Sequence, residues 1–407
     1  MDDEDLLELC GVCVEDMSKA WGADPGLGAE GGEVERGSGC QQAHDLGSAA
    51  SAPVLPPLPP PVRERAVQTA LASGPVEAGR SDSASPGPGP EGSPAPEADR
   101  YVDLTVTKAV PKTALAPDLA AQFWLEEWSS EECRQAITRS EVEGLDAFIL
   151  DGVVTCEECD RLVETSEALG FTFWHSGDDV EAQRKFRDAD TIEMFHAPIA
   201  LELYRRIQGF LQDESVVRVE PESQRWERDI EGVWEASGTN DDLLFARYKP
   251  GGHFAPHTDG YSVKDLNHRS MYSMIIYLND CSPGGGTKFY HDSAKGDLVK
   301  DASGKITAPP EASLLTVDAV KGRALVFYHN HIHEGTAPVP GTIKYIIRSD
   351  VMYQRRDPIC TLPEDVEAYD LYRRAVDLAG DGREPEALPL FQRAFRMSRS
   401  LADLYGM

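Results

Sequence analysis

His257, Thr258 and Asp259 constrain this chain more than any other stretch, because they set an imidazole and a carboxylate two positions apart. In an extended segment, residues i and i+2 project from the same face, so His257 and Asp259 point the same way. A further nitrogen donor is available about seventy residues on, where Phe327 to Gly335 holds His329, His331 and His333. Read as one strand, that run puts all three histidines on one face, and periodicity leaves the third donor open. Two histidines and one carboxylate can converge on a metal and leave three coordination positions free, the arrangement of the facial triad in non-haem iron(II) sites.

The surroundings of this motif matter, since an isolated His-x-Asp is common by chance. Residues 269–280 read as a buried strand, and Gly284-Gly285-Gly286-Thr287-Lys288-Phe289 as a tight turn into the next strand. Residues 324–333 form another apolar strand, and Gly341-Thr342 is a turn before the strand at 344–353. Together with Tyr248-Lys249-Pro250-Gly251 ahead of the His-x-Asp, Tyr277-Leu278-Asn279, His333-Glu334-Gly335 and the Lys344-Tyr345 pair after Gly341, these motifs carry a resemblance. Residues 145–353 resemble the prolyl 4-hydroxylase alpha-subunit-like branch of the Fe(II)/2-oxoglutarate-dependent dioxygenases.

The resemblance implies an α+β chain with a double-stranded β-helix, or jelly roll, braced by helices. It implies iron(II) held by His257, Asp259 and His333, with His331 the second choice for the third ligand, and no catalytic side chain beyond the ligands. It implies 2-oxoglutarate as co-substrate, its far carboxylate on Lys344, which lies eleven residues past His333 across the Gly341 turn. Arg348, two pleats further along the same face, is the alternative cation, and Tyr248 and Thr287 are candidate hydrogen-bonding supports. Ascorbate is expected to sustain turnover. Collagen-type relatives commonly carry Trp after the lysine where Tyr345 stands here, so their substrate class does not transfer directly.

Composition divides the chain of 407 residues. Residues 1–100 contain one aromatic, Trp21, and 12 prolines between positions 51 and 100, too little apolar surface to offset chain entropy, so this acidic region is expected to be disordered. Within it, residues 2–21 space Leu6, Leu9, Cys10, Cys13, Met17 and Trp21 as an amphipathic helix, and Pro56 to Pro61 favours polyproline II geometry. Residues 101–144 form a lead-in, with an amphipathic helix expected over 117–139. Thr155 and Glu158 form a capping box for a helix ending at Gly170, which puts Cys156 and Cys159 in its first turn and disfavours zinc there. A second helix is expected over 199–211. Residues 354–407 read as a tetratricopeptide-like helical hairpin, with helices over 364–378 and 384–397.

The net charge of −31 belongs to the flanks, since residues 251–350 hold ten basic and ten acidic side chains. A basic nucleic-acid surface is therefore not expected. No apolar run is long enough for a membrane span, and neither a leader nor a disulfide framework is evident, so the expected location is cytoplasmic or nuclear. The leading expectation is a dioxygenase hydroxylating a protein side chain, by resemblance prolyl 4-hydroxylation, coupled to conversion of 2-oxoglutarate to succinate and CO2. The alternatives are an oxygenase acting on another residue or a small molecule, and a non-catalytic jelly-roll interaction module. A protein partner could dock on the acidic N-terminal helix or the C-terminal hairpin.

Overall fold

The computed structural model describes residues 121–173, 180–223, 225, 229–302 and 304–407. The expectations for residues 1–100, including the 2–21 helix and the polyproline stretch, and for the first part of the lead-in lie outside the described residues. Eight strands form the barrel: β1 (Asp242–Tyr248), β2 (Phe254–His257), β3 (His268–Tyr277), β4 (Thr287–Tyr290), β5 (Ser313–Val317), β6 (Ala324–Tyr328), β7 (His333–Gly335) and β8 (Lys344–Arg355). They sort into two antiparallel sheets, one ordered β6-β3-β8-β1 and the other β5-β4-β7-β2. Nearly every connection crosses from one sheet to the other, which is the double-stranded β-helix.

The larger sheet is extended at its β6 edge by Ala147–Asp151 and Thr138–Glu141, and at its β1 edge by Asp190–Phe195 and Thr172–Phe173. Both of its faces are buried, so β3 is apolar at successive positions instead of alternating with polar ones. Ile275 and Tyr277 point between the sheets with Phe289, Phe327 and Ile346, whereas Met274 and Ile276 point outward to a second apolar layer. That outer layer is covered by α2 (Cys156–Leu169) and α4 (Ala197–Ile207), which follow α1 (Ser130–Ala136) and flank α3 (Val180–Phe186). Thr155 and Glu158 cap α2 reciprocally and Gly170 ends it, as expected.

Two expected elements differ. The helix over 117–139 is confined within the described residues to α1, because Ser129 and Glu132 form a capping box that starts it there. The preceding segment has no regular secondary structure and is held by buried carboxylates: the Glu126 amide donates to Glu158 Oε1 at 2.7 Å and the Trp128 amide to Glu202 Oε1 at 3.0 Å. Arg206, which is 0% exposed, pairs with both carboxylates and also donates to the carbonyl of Val153. The second difference is the strand expected over 324–333. It stops at Tyr328, the chain turns, and β7 begins at His333 in the other sheet.

After β8 come α5 (Pro363–Gly380), α6 (Glu384–Met397) and a third helix that the sequence did not announce, α7 (Arg399–Tyr405). Leu388 and Phe391 are buried as expected, and Tyr372 stacks on Tyr405 with ring centres 4.4 Å apart. No helix among the described residues is long and apolar enough to cross a membrane.

Candidate metal centre

β2 ends at His257 and β7 begins at His333, and the two are direct partners in the register of the smaller sheet. Their rings lie 4.3 Å apart. Asp259 follows β2, and its amide donates to the His329 carbonyl at 3.0 Å. Its Oδ1 lies 3.6 Å from His257 Nε2, and its Oδ2 lies 3.7 Å from His333 Nε2. The three ligand-type atoms fall within 4.8 Å of one another, and no other such cluster occurs among the described residues.

Second contacts orient both rings. His257 Nδ1 lies 2.7 Å from the Ala255 carbonyl, and His333 Nδ1 lies 2.9 Å from the His331 carbonyl. Each Nδ1 therefore carries the proton and donates it to the backbone, which leaves each Nε2 lone pair facing Asp259. Phe254 stacks on His257 at 3.6 Å, and Phe327 packs edge-on against His333 at 4.7 Å. Burial, together with the His257 ring, pushes the His333 imidazole down to about 4, so it is neutral at neutral pH. Burial opposes charge on Asp259, but Arg348, His333 and His257 more than reverse this and hold its carboxyl well below the usual range. Its Oδ2 is buried without a hydrogen-bond partner. Two imidazole nitrogens and an ionised carboxylate with an orphaned oxygen are a donor set suited to a divalent first-row metal.

Deeper between the sheets lies Lys344, the first residue of β8, 2% exposed. Its Nζ donates to the Gly286 carbonyl at 3.4 Å and sits 5.0 Å from the Tyr248 ring centre. Thr287 Oγ1 and the Tyr277 hydroxyl are hydrogen-bonded at 2.7 Å on the same interior surface. The glycine-rich turn is required here: Gly285 has φ +68°, and a Cβ on Gly286 would stand 2.5 Å from the Val317 carbonyl oxygen. Burial pulls the Lys344 ammonium down to about 8.

The structure thus brings His257, Asp259 and His333 together at one end, with Lys344, Tyr248 and Thr287 grouped below. Arg348 shares the Lys344 face but belongs to the Asp259 end, where it donates to the Gly260 carbonyl at 3.1 Å and pairs with Asp350. His331 does not join the cluster: its Nε2 accepts the Asp146 amide at 3.2 Å, and Nδ1 lies 3.4 Å from Asp292 Oδ2. Because the chain leaves the larger sheet after Tyr328, residues 329, 331 and 333 do not form one strand face. Sequence reasoning missed Arg187, whose guanidinium lies 4.9 Å from the Phe254 ring centre and whose charge works against the burial that raises the Tyr248 hydroxyl. Within the basic run from Arg184 to Arg187 no sequence signal distinguished it.

A family model described as the 2OG-Fe(II) oxygenase superfamily matches residues 243–349. No curated protein matches the chain. Among solved structures, the chain is similar to a viral collagen prolyl hydroxylase from Paramecium bursaria Chlorella virus-1, with 17% identity over 53% of this chain and 100% of that one, at a TM-score of 0.30. It is similar to a Pseudomonas putida prolyl-4-hydroxylase, with 16% identity over 59% of this chain and 100% of that one, at a TM-score of 0.31. A Trichoplax adhaerens prolyl hydroxylase, solved with a hypoxia inducible factor peptide fragment, is 12% identical over 52% of this chain and 84% of its own, at a TM-score of 0.32. The matched segment runs from β1 through the first half of β8 and encloses both histidines, Asp259 and Lys344. Residues 243–349 therefore match a domain of the 2OG-Fe(II) oxygenase superfamily, a family whose name carries iron(II) and 2-oxoglutarate.

Proposed function

We propose that His257, Asp259 and His333 hold iron(II), that Lys344 receives the far carboxylate of 2-oxoglutarate, and that the enzyme hydroxylates a prolyl residue of a protein or peptide. The observation that carries the metal reading is the convergence of two Nε2 atoms on a buried carboxylate whose Oδ2 has no partner. Iron(II) bound there would couple the reaction of dioxygen with 2-oxoglutarate, giving succinate and CO2, to placement of one oxygen atom on the substrate.

The protein's share is geometry and exclusion of water. The Ala255 and His331 carbonyls fix the two imidazole planes, and Phe254, Phe289 and Phe327 keep the ligand side dry. Lys344, with no carboxylate within ion-pair reach among the described residues, supplies the positive charge that orients a dicarboxylate lengthwise. Thr287 and Tyr248 lie beside it as hydrogen-bonding supports. Ascorbate would keep the metal reduced between productive turnovers.

Prolyl hydroxylation rests on the motif resemblance across residues 145–353, taken here as the catalytic domain. Tyr345, the departure from collagen-type relatives, faces away from the pocket, where its hydroxyl donates to Glu167 and its ring packs on Phe171. That substitution therefore leaves the pocket walls unchanged. The test is mass spectrometry of a proline-containing peptide panel incubated with the enzyme, iron(II), 2-oxoglutarate and ascorbate. A gain of one oxygen on proline is expected; oxidation confined to other residues would overturn the prolyl reading.

A further inference from the structure

The segment from His257 to Arg269 carries the proposed metal carboxylate, and it is also where the C-terminal helices meet the barrel. The Asn267 side chain donates to the Ile359 carbonyl at 2.9 Å and accepts the Ile359 amide at 2.9 Å, tying the chain just before α5 to this segment. From α7, the Tyr405 hydroxyl donates to Asp229 Oδ2 at 3.2 Å, and Asp229 Oδ1 lies 3.8 Å from Arg269 Nη1. The Arg269 guanidinium lies over the Tyr261 ring, 4.1 Å from its centre. That ring packs 5.6 Å from the His329 ring, whose own Nδ1 is held by the Met271 carbonyl at 2.9 Å. His329 then closes the path, because its carbonyl accepts the Asp259 amide.

Each step fixes an orientation. A planar guanidinium with one face on a ring and one edge toward a carboxylate has little freedom to rotate, and a lysine cannot reproduce both contacts. Arg269 and Tyr405 are buried, and Asp229 between them is about one-fifth exposed, so solvent has little access to these contacts. We propose that Arg269 is a positioning residue for Asp259, and that α5 to α7 set the metal carboxylate through Tyr405 and Asp229. A perturbation of the C-terminal helices is then felt at the metal site through two adjacent contacts instead of through global unfolding. This rests on the reading of Asp259 as a metal ligand.

The test uses the full chain as wild type, Tyr405→Phe, Arg269→Lys and the double variant. Two quantities are measured: cobalt(II) affinity by absorption titration, and hydrogen exchange of the Asp259 amide. Either single variant should remain folded at the assay temperature with a melting temperature lowered by no more than a few degrees, exchange that amide faster than this loss of stability accounts for, and bind cobalt(II) roughly three- to tenfold more weakly. The double variant should be no worse than the weaker single one, because both substitutions interrupt one path. Wild-type affinity and exchange in both single variants, or fully additive losses, would overturn the proposal. If Arg269→Lys fails to fold, Tyr405→Phe alone decides. If the wild type itself does not bind cobalt(II), the metal reading fails, and the exchange rates still decide whether Arg269 and Tyr405 position Asp259.

Discussion

Lys344 Nζ donates to the Gly286 carbonyl at 3.4 Å and has no carboxylate partner among the described residues. A buried ammonium with one long hydrogen bond is costly in the free protein and suited to receive an anion. Lys344→Ala is therefore expected to act in opposite directions on two measurements. The ligand-free protein should melt no lower than wild type, while 2-oxoglutarate affinity, measured by calorimetry with manganese(II) in place of iron, should fall roughly ten- to a hundredfold. Lys344→Arg should recover part of that affinity. Normal 2-oxoglutarate binding by Lys344→Ala together with loss in Arg348→Ala would move the anchor to Arg348.

The same burial sets a pH dependence. Lys344 titrates at about 8 in the free protein, below the ordinary lysine range. It is cationic below that pH and neutral above it, so 2-oxoglutarate affinity should be flat up to about pH 8 and then fall toward tenfold per pH unit. The free fold responds with the opposite sign. Between about pH 8 and the ordinary lysine range near 10.4 the unfolded chain holds a proton that the native one lacks, so this group's contribution to stability rises with pH. Lys344→Arg should remove the affinity break. Calorimetry from pH 7 to above pH 9 checks it, and a break of equal size in Lys344→Arg would assign the titration to another group.

Arg206 provides the stability prediction, because it is 0% exposed and donates to both oxygens of Glu158 at 2.8 Å. Glu158→Ala leaves a buried guanidinium short of its main counter-charge and is expected to cost about 3–5 kcal/mol in urea unfolding. It also frees the Glu126 amide, which releases the lead-in segment. The exposed Arg383–Glu386 pair is the control, and Glu386→Ala should leave the urea midpoint unchanged.

What the sequence made legible follows the reach of each signal. His257 and Asp259 could be singled out as a same-face pair because their spacing and flanking turn are local, and α6 spans the helix expected from its apolar spacing. Which histidine joins them in the cluster was not readable from periodicity, since the change of sheet after Tyr328 is a tertiary event that leaves the apolar run unbroken in sequence. Glu158 was read as a helix cap, which it is, but its bond to Arg206 spans 48 residues and has no local trace. Arg187 and the Arg269–Tyr261 contact are hidden for the same reason: each is one basic residue among many until the chain folds. The 117–139 segment failed differently. Its apolar positions are real, with Phe123 and Leu125 buried, but the backbone there is not helical, and its amides bond to Glu158 and Glu202 instead of to helical carbonyls.

The central claim is that the Nε2 atoms of His257 and His333, with Asp259, are the protein's metal ligands, and it is tested most directly by iron(II)-dependent release of CO2 from 2-oxoglutarate in four single variants. His257→Ala, Asp259→Ala and His333→Ala should each abolish it, while His331→Ala, whose ring bonds the Asp146 amide instead of facing the cluster, should retain most of it. Activity surviving in His333→Ala and lost in His331→Ala would contradict the account.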